Sequence, residues 1–460
     1  MIRNVTKTDS QSTARPEKAT KTLTNVRVTA QAAKEASYRL APLSASERNA
    51  ALDAIAYALE NATARVLSAN MLDLQEADAL VAAGDLSPAS RARLALSPEK
   101  LAEMVAQIRA VAALADPLGR RLHAVELDHG LDLEKISVPL GVLAVIFEAR
   151  PDAVTQIAAL ALKSGNAVLL KPGKEVERTA AVLVEIFREA LTSTHVPHEA
   201  VALIFGREQV VELLHLSSLV DLVIPRGSRA LVGYIQANTR IPVLGHADGI
   251  CHIYVDQHVD QSLALAVIDD AKTDYPAVCN AVETALVHSS IAAEFLPKLA
   301  GRLHPKGVVL LGDDRTRQIL DPACTGEVPV GHVKDWHTEY GDLTLSVRVI
   351  DSLDAAIDHI HQYGSAHTES ICTSDPVAAD RFLTEVDAAT VLHNASTRFA
   401  DGYRFGFGAE VGVSTSKIHA RGPVGLEGLT TYKYIVRGQG HLVASYRGPT
   451  ARPFTHQVKP

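Results

Sequence analysis

Short aliphatic runs alternate with helical patterns in the middle of the chain, and this alternation limits the possible folds more than any other feature. The helical patterns begin near Pro151, Lys174, Arg207 and Ser228. The apolar runs occupy residues 141–147, 167–170, 201–205, 222–224 and 242–244. Strands that are connected through helices run parallel, and the helices then cover the faces of the sheet. The alternation therefore predicts an α/β fold.

A second alternating set follows at residues 252–394, with apolar runs at 307–311 and 343–349. Two α/β lobes in series predict a cleft between them, where ligands usually bind. Before the first lobe, residues 122–138 alternate around an Asp-His-Gly turn and predict a β-hairpin. A hairpin cannot bury itself, so we expect it to pair with another element or with another chain.

These patterns predict the domain boundaries. Ser44 and Glu47 form a capping box that opens the helical N-terminal part of the chain. The predicted units are a disordered tail at 1–25, a cofactor-binding domain at 26–250 that includes the hairpin, a catalytic domain at 251–430, and an oligomerisation strand with a tail at 431–460.

Composition and charge argue against several classes of partner. The chain has 460 residues, a formal net charge of −8 and no basic face, so nucleic acid is not expected to bind. The longest apolar run, 138–147, is about half as long as a membrane span. Four cysteines without a C-x-x-C pair favour a reducing compartment, the cytoplasm, over a disulfide scaffold. H-E-x-x-H is absent, and His359 and His361 would face different sides of a helix, so we predict no metal.

Two strand-to-helix turns in the first lobe have features of a phosphate site. The run 167–170 leads into Lys171 and Lys174, and a later turn holds Gly227 and Ser228. Lysines and backbone N–H groups at the carboxyl end of a parallel strand, beside a helix N-terminus, favour a phosphate or a phosphorylated ribose. Each turn alone is also consistent with an ordinary helix start, but two in one lobe favour a nucleotide.

Five segments carry a more specific signature. They read V-P-L-G-V-L-A-V-I-F-E-A-R-P-D (138–152), P-V-L-G-H-A-D-G-I-C-H (242–252), D-Y-P-A-V-C-N (274–280), N-A-S-T-R-F (394–399) and F-G-F-G-A-E-V-G-V-S-T-S-K-I-H-A-R-G-P-V-G-L-E-G-L (405–429). The segments resemble γ-glutamyl phosphate reductases, a family of the aldehyde dehydrogenase superfamily that also forms the C-terminal half of pyrroline-5-carboxylate synthases. The resemblance implies an aldehyde-dehydrogenase-like fold, with a Rossmann-like cofactor lobe, a catalytic lobe and an oligomerisation hairpin. It also implies reduction of γ-glutamyl phosphate to glutamate 5-semialdehyde in proline biosynthesis.

The resemblance implies roles for single residues. Cys279 matches the superfamily nucleophile, although a cysteine in such a place is most often a small buried apolar residue. Lys171 matches the lysine that holds the adenosine ribose, and Glu339 resembles the glutamate that binds the nicotinamide ribose. Gly227 and Ser228 resemble the turn that contacts the pyrophosphate. The other cysteines are expected to be structural; they are Cys251, Cys324 and Cys372.

Two departures from the superfamily pattern are informative. Lys174 stands where NAD-using relatives often carry a glutamate, and an ammonium attracts a 2′-phosphate, so we predict NADPH. Val243 stands where hydrolytic relatives have a general-base glutamate, so a thioester on Cys279 would be protected from water.

Two other functions are alternatives to a reductase. One is a general aldehyde dehydrogenase, and both departures argue against it. Another is a retired relative that only binds glutamate kinase, against which the intact Cys279, Lys171 and Glu339 argue.

The remaining predictions concern the substrate and the partners. We expect backbone N–H groups and Asn280 to hold the oxyanion, and Arg150 and Arg398 to bind the substrate anions. His246 and His252 are both candidates for taking the thiol proton. The residues predicted for the amino-acid end of the substrate are Asn394, Ser396 and Thr397. A homo-oligomer, either a dimer or a tetramer, is expected, and glutamate 5-kinase is a candidate partner because the acyl phosphate is labile.

Overall fold

The structure is a computed structural model that describes residues 25–245, 248–320 and 330–459. Its α-helices are α1 (Val26–Leu40), α2 (Ala45–Asn61), α3 (Thr63–Ala83), α4 (Pro88–Leu94), α5 (Pro98–Ala113), α6 (Asp152–Lys163), α7 (Glu177–Leu191), α8 (Arg207–Leu213), α9 (Arg229–Asn238), α10 (Gln261–Thr273), α11 (Ser289–Leu303), α12 (Asp314–Ile319), α13 (Leu353–Tyr363) and α14 (Pro376–Glu385). Its strands are β1 (Arg121–Asp128), β2 (Leu131–Pro139), β3 (Val142–Phe147), β4 (Ala167–Lys171), β5 (Val201–Leu203), β6 (Leu222–Arg226), β7 (Cys251–Val255), β8 (Val282–His288), β9 (Val309–Gly312), β10 (Gly331–His332), β11 (Thr344–Ile350), β12 (Thr368–Cys372), β13 (Thr390–His393), β14 (Val413–Ser414), β15 (Gly422–Pro423), β16 (Thr430–Arg437) and β17 (Gln457–Val458).

The first lobe is built on a parallel sheet with the strand order β5-β4-β3-β6. Every residue of β3 is buried, as expected for a strand that is covered on both faces. Four of the five predicted apolar runs form strands of this sheet. The fifth run, 242–244, contributes only an isolated bridge between Val243 and Val223, because Pro242 has no N–H with which to extend the ladder. The predicted α/β architecture of this lobe is confirmed.

The second lobe contains a larger parallel sheet with the strand order β10-β9-β11-β8-β7-β12-β13. Neighbouring residues of β7 face opposite sides of it: Ile253 and Val255 join the apolar core on one side, and Tyr254 joins the core on the other. The strands predicted around residues 307–311 and 343–349 are β9 and β11. The second predicted α/β lobe is therefore confirmed.

The predicted hairpin at 122–138 forms β1 and β2 of a third, antiparallel sheet with the order β16-β2-β1-β17. Strand β16 pairs with the whole length of β2, and β17 adds a short second edge to β1. Tyr432, Tyr434 and Val436 alternate along β16 and are 48%, 58% and 53% exposed. The hairpin thus pairs with the C-terminal part of its own chain and still presents apolar side chains outwards.

The N-terminal part of the chain is helical, as predicted. The Ser44 hydroxyl accepts a hydrogen bond from the backbone N–H of Glu47, and the Glu47 carboxylate accepts one from Ser44, so the capping box is confirmed. Across the described ranges, no helix combines the length and the apolar character needed to cross a membrane. The predicted tail at 1–25 lies almost entirely outside the described residues, as does Cys324, and the domain boundaries stay a prediction.

Candidate active site

A cavity of about 460 Å³ lies between the two lobes and contains the predicted nucleophile. The first lobe contributes the segments that follow the carboxyl ends of β3 and β6, with Arg150, Gly227 and Ser228. The second lobe contributes Cys279 and Glu339. The carboxyl ends of neighbouring parallel strands open towards one crevice, which explains why residues far apart in sequence meet here. Five of the predicted site residues therefore share one cavity.

Cys279 lies in a loop between α10 and β8, and its backbone is held from two sides. The Sγ atom of Cys251 donates a hydrogen bond to the Cys279 carbonyl oxygen over 3.2 Å. Gly249 approaches so closely that a Cβ on it would lie 2.2 Å from the same oxygen and 2.6 Å from the Cys279 Cα. Real Cβ atoms essentially never come so close, so only glycine fits at position 249. Cys279 itself is partly exposed to the cavity, whereas Cys251 and Cys372 are buried.

A buried ion pair connects the loop of Cys279 with the loop of Glu339. Lys272, near the end of α10, donates from Nζ to Glu283 Oε2 over 2.8 Å, and both side chains are inaccessible to solvent. The other carboxylate oxygen of Glu283 accepts a hydrogen bond from the backbone N–H of Gly341. Burial raises the pKa of Glu283 to about 7, and the Lys272 charge opposes this rise. The pair fixes Gly341, which lies two residues after Glu339.

A second cavity, of about 770 Å³, adjoins the first along the first lobe. The predicted residues Lys171, Lys174 and Ser228 line it at the carboxyl ends of β4 and β6. Burial lowers the pKa of Lys171, and nearby carboxylates, of which Glu175 has the largest effect, work in the opposite direction. Ser228 caps α9 by accepting a hydrogen bond from Leu231 N. This cavity has the basic side chains and the helix N-terminus expected of a nucleotide phosphate site.

A third basic residue, which was not among the predicted site residues, lines this second cavity. Arg207, at the start of α8, lines the cavity together with Lys171 and Lys174. Lys174 is exposed, and its Nζ lies 3.7 Å from a carboxylate oxygen of Glu76. An exposed ion pair of this kind contributes little and can be exchanged for another anion. Arg207 starts a helix directly after a strand, as Lys174 does, and that position in the βα pattern was the signal available in the sequence.

Arg226 is a second residue that the sequence reasoning missed. It ends β6 and lines the Cys279 cavity. Its Nη1 donates to the backbone carbonyl of Val411, and Gly412 leaves room for the guanidinium, because a Cβ there would lie 3.0 Å from Nη1. Burial, and after it the positive charge of Arg150, lowers the pKa of Arg226. Two arginines thus approach each other beside the nucleophile.

The segment predicted for the amino-acid end of the substrate lines a different cavity. Asn394, Ser396 and Arg398 line a space of about 600 Å³ together with Asp274. Arg398 is largely buried and donates from Nε to Asp274 over 3.2 Å. Since its charge is already matched by this carboxylate, Arg398 has less to gain from a substrate anion than Arg150 has. The loop of Cys279 contributes to both cavities.

The side chains around Arg398 are engaged in local structure. The Asn280 side chain makes two hydrogen bonds: its Oδ1 accepts from Arg398 Nη1, and its Nδ2 donates to the backbone carbonyl of Ala400 over 3.0 Å. Asn280 is not among the residues that line the Cys279 cavity. Asn394 has a positive φ and exchanges hydrogen bonds with the backbone of Thr373. The roles assigned to Asn280 and to residues 394–398 stay predictions; Ser396 and Thr397, which belong to this segment, are buried.

Two histidines, His246 and His252, were predicted as candidates for taking the proton of the Cys279 thiol. His246 lies outside the described residues. His252 is fully buried in β7, where Nδ1 and the backbone N–H both contact the Glu369 carboxylate, at 2.9 and 2.7 Å. His252 does not line the Cys279 cavity. In the described part of the chain, no group of three or more His, Cys, Asp or Glu side chains has an arrangement that could hold a metal ion.

His359, on α13, predicts a specific dependence of stability on pH. It is 2% exposed, and its Nδ1 accepts a hydrogen bond from Arg348 Nη1 over 2.5 Å, which requires an unprotonated nitrogen. Burial, followed by the charges of His252 and Arg348, lowers the pKa of His359 to about 2. The unfolded chain therefore binds this proton below pH 6.5 while the folded chain does not. The stabilisation is present above pH 6.5 and is lost as the pH falls.

We expect the free energy of unfolding to decrease below pH 6.5 by up to about 1.4 kcal/mol per pH unit through His359 alone. Urea unfolding at pH 7.5, 6.5 and 5.5 measures this, and His359→Gln should flatten the dependence by that amount. His361→Gln is the matched control, because His361 lies on the same helix and is exposed. Equal pH slopes for wild type and His359→Gln would contradict a neutral buried His359.

Comparison with known proteins gives consistent results at the level of family, sequence and structure. The Aldehyde dehydrogenase family model matches residues 2–316. γ-Glutamyl phosphate reductase of Synechococcus sp. is 54% identical over 428 residues, which cover 93% of each chain. The enzyme of the same name from Natronomonas pharaonis is 52% identical and covers 93% of this chain and 96% of its own. The crystal structure of γ-glutamyl phosphate reductase from Thermotoga maritima superposes with a TM-score of 0.86 at 39% identity, covering 91% of this chain and 99% of that one.

Proposed function

We infer the chemistry of the site from one premise: this chain belongs to the γ-glutamyl phosphate reductase family of the aldehyde dehydrogenase superfamily. It is an oxidoreductase of proline biosynthesis that reduces γ-glutamyl phosphate to glutamate 5-semialdehyde and phosphate. The observation that carries our assignment of the site is the partly exposed thiol of Cys279, which faces arginines in a cleft between two lobes.

Cys279 is the proposed nucleophile. Its thiolate attacks the acyl carbon, so that a carbon–sulfur bond forms while the carbon–oxygen bond to phosphate breaks. Arg150 and Arg226 line the same cavity as this cysteine and place positive charge there. The hold of Gly249 and Cys251 on its backbone keeps the sulfur in one position relative to the cleft.

The thioester must survive until it is reduced, and the residue at position 243 favours its survival. A bound nicotinamide cofactor supplies the hydride for this reduction. Val243 is packed against the apolar core of the first lobe and offers no carboxylate that could activate water. The loss of a general base at this position distinguishes a reductase from an aldehyde dehydrogenase that hydrolyses its acyl-enzyme.

Aldehyde dehydrogenases use NAD or NADP, and we propose NADPH for this chain. Lys171 would hold the adenosine ribose, and Lys174 the 2′-phosphate, in the cavity that both residues line. Gly227 and Ser228 would contact the pyrophosphate at the start of α9, and Glu339 the nicotinamide ribose. Ser228 lines both cavities, so it lies where a dinucleotide would pass from one to the other.

Charge reversal at Lys174 tests the proposed cofactor. Lys174→Glu should reduce the preference for NADPH over NADH by roughly tenfold to a hundredfold, because a carboxylate repels the 2′-phosphate. The measurements are kcat/KM with each cofactor and the dissociation constants from NADPH and NADH fluorescence. Lys298→Glu, an exposed lysine of α11, is the control and should leave the preference unchanged. An unchanged preference in Lys174→Glu would remove Lys174 from cofactor selection.

The proposal extends to the assembly and location of the enzyme. The apolar side chains on β16 and the hairpin sheet are the surface through which we expect copies of the chain to assemble as a dimer or tetramer. The enzyme is proposed to act in the cytoplasm, and glutamate 5-kinase is the proposed source of its labile substrate. We keep Asn394, Ser396 and Thr397 as proposed contacts of the amino-acid end, and Arg150 and Arg398 as proposed contacts of the substrate anions.

Oxidation of pyrroline-5-carboxylate with NADP tests the reaction in reverse, because this compound is in equilibrium with the semialdehyde. We expect the oxidation to require inorganic phosphate. A rate that is independent of phosphate would instead indicate an aldehyde dehydrogenase that releases the free acid.

A further inference from the structure

We propose that Arg226 and Arg150 form the subsite for the phosphoryl group of the acyl phosphate, which is also the subsite for inorganic phosphate in the reverse reaction. The inference rests on the proposed function. It adds Arg226 to the site and states where the departing phosphate binds. Several arginines line the described part of the molecule's central cleft, and their surroundings distinguish these two from the rest.

The fold brings the two arginines together. Strands β3 and β6 are neighbours, and Phe147, the last residue of β3, pairs with Arg226, the last residue of β6. The backbone N–H of Glu148 donates to the Arg226 carbonyl over 3.1 Å, so the pairing continues one residue further. Arg150 follows two residues later. Both side chains line the cavity that contains Cys279.

The two side chains have few partners of their own. Within the described residues, the Arg226 side chain makes one hydrogen bond, from Nη1 to Val411, and none is found for the Arg150 side chain. Arg150 lowers the pKa of Arg226, whereas Glu410, Cys279 and Asp152 work in the opposite direction. Two like charges that are partly withdrawn from water, and that form no ion pair with a described carboxylate, favour binding of an anion.

The other arginines of the region are less suited to this role. Arg229, which also lines the cavity, is 71% exposed and lies 3.3 Å from a carboxylate oxygen of Asp248. Arg93 also lines the cavity, donates to the Ser90 hydroxyl and has a buried Nε without a described partner, but it lies on α4 and not at the strand ends. Arg398 is paired with Asp274 in the other cavity. Arg150 and Arg226 are therefore the pair that follows two neighbouring strand ends into the Cys279 cavity and makes no ion pair with a described carboxylate.

The chemistry of the acyl transfer needs positive charge at this place. When the Cys279 sulfur bonds to the acyl carbon, the electron pair of the breaking carbon–oxygen bond leaves with the phosphate. No atom is oxidised in this step, and the phosphate then takes one proton from solvent to become HPO4²⁻. Guanidinium groups bind phosphate oxygens through paired N–H donors and stabilise the charge that develops on them.

The test uses the full chain and inorganic phosphate as the probe. In phosphate-dependent oxidation of pyrroline-5-carboxylate, we expect Arg226→Gln and Arg150→Gln each to raise the KM for phosphate by at least about tenfold, the loss of one charge-assisted contact. The KM for NADP should change little, and Arg226→Lys should recover part of the phosphate affinity. Arg109→Gln, which removes an exposed ion pair with Glu60 on the helical part, is the control.

A second readout needs no turnover. Phosphate should slow alkylation of Cys279 by iodoacetamide in wild type and in Arg109→Gln, and should protect much less in Arg226→Gln and Arg150→Gln. Protection by phosphate in an enzyme that lacks phosphate-dependent turnover would support the subsite and reject the proposed function. Unchanged phosphate KM and unchanged protection in both variants would overturn the subsite. For a variant without measurable turnover, unchanged protection alone would do so.

Discussion

Cys279→Ala should lower kcat for phosphate-dependent oxidation of pyrroline-5-carboxylate by roughly a thousandfold or more. Removal of a nucleophile eliminates the covalent route entirely, and effects of this size are typical for such residues. Burial of the neighbouring Cys251 raises the pKa of its thiol well above the usual value, so it cannot replace the missing thiolate. The measurement is the initial rate of NADPH formation at saturating substrates.

Two observations separate a chemical effect of Cys279→Ala from a structural one. NADPH should bind the variant with nearly the wild-type dissociation constant, because the residues proposed to hold its adenosine ribose and 2′-phosphate, Lys171 and Lys174, line the other cavity. Cys372→Ala is the matched control: this thiol is buried at the end of β12, and its removal should leave kcat nearly unchanged. Substantial turnover by Cys279→Ala would refute a nucleophile at position 279.

Gly249→Ala should reduce kcat by at least a hundredfold without removing any reactive group. The added Cβ would overlap the Cys279 backbone, and backbone atoms cannot yield as a flexible side chain can. The loop must therefore move, and a displacement of about 1 Å at a reacting atom costs on the order of a hundredfold in rate. Rates and urea-unfolding curves, measured on the same preparation, distinguish misplacement of the sulfur from global unfolding.

Gly301→Ala provides the comparison for Gly249→Ala. Gly301 lies in α11, and a Cβ there would meet no atom within 4 Å. We expect this variant to keep wild-type activity and to gain about 0.5–1 kcal/mol in stability, the difference in helix propensity between alanine and glycine. Full activity in Gly249→Ala would show that the approach of Gly249 does not position the nucleophile.

Most of the fold could be predicted because it depends on local patterns. Apolar runs separated by helices specify parallel strands in either lobe. The run 242–244 does not form a full strand, and the reason is local: Pro242 has no N–H. The two-residue period of the hairpin likewise survives in β1 and β2. The resemblance to a family supplied what periodicity could not, namely the chemical role of Cys279.

Contacts between distant side chains could not be predicted from these patterns. Nothing in the sequence around Asp274 indicates that it neutralises Arg398, although this pairing separates the 394–398 segment from the Cys279 cavity. Lys272 and Glu283 look like surface residues of a helix and a strand, yet they form a buried pair. Arg226 was missed because an arginine at the end of a strand is usually solvated, and only tertiary structure brings Arg150 beside it.

The order of strands in the hairpin sheet determines when that sheet can be completed during synthesis. A ribosome makes its two inner strands, β1 and β2, before the catalytic lobe, and its two outer strands, β16 and β17, after that lobe. Both edges of the nascent hairpin therefore stay unpaired while the intervening polypeptide emerges. Unpaired edges are sites of mispairing between chains. Release of the last thirty or so residues therefore completes the sheet and also protects the nascent chain from such mispairing.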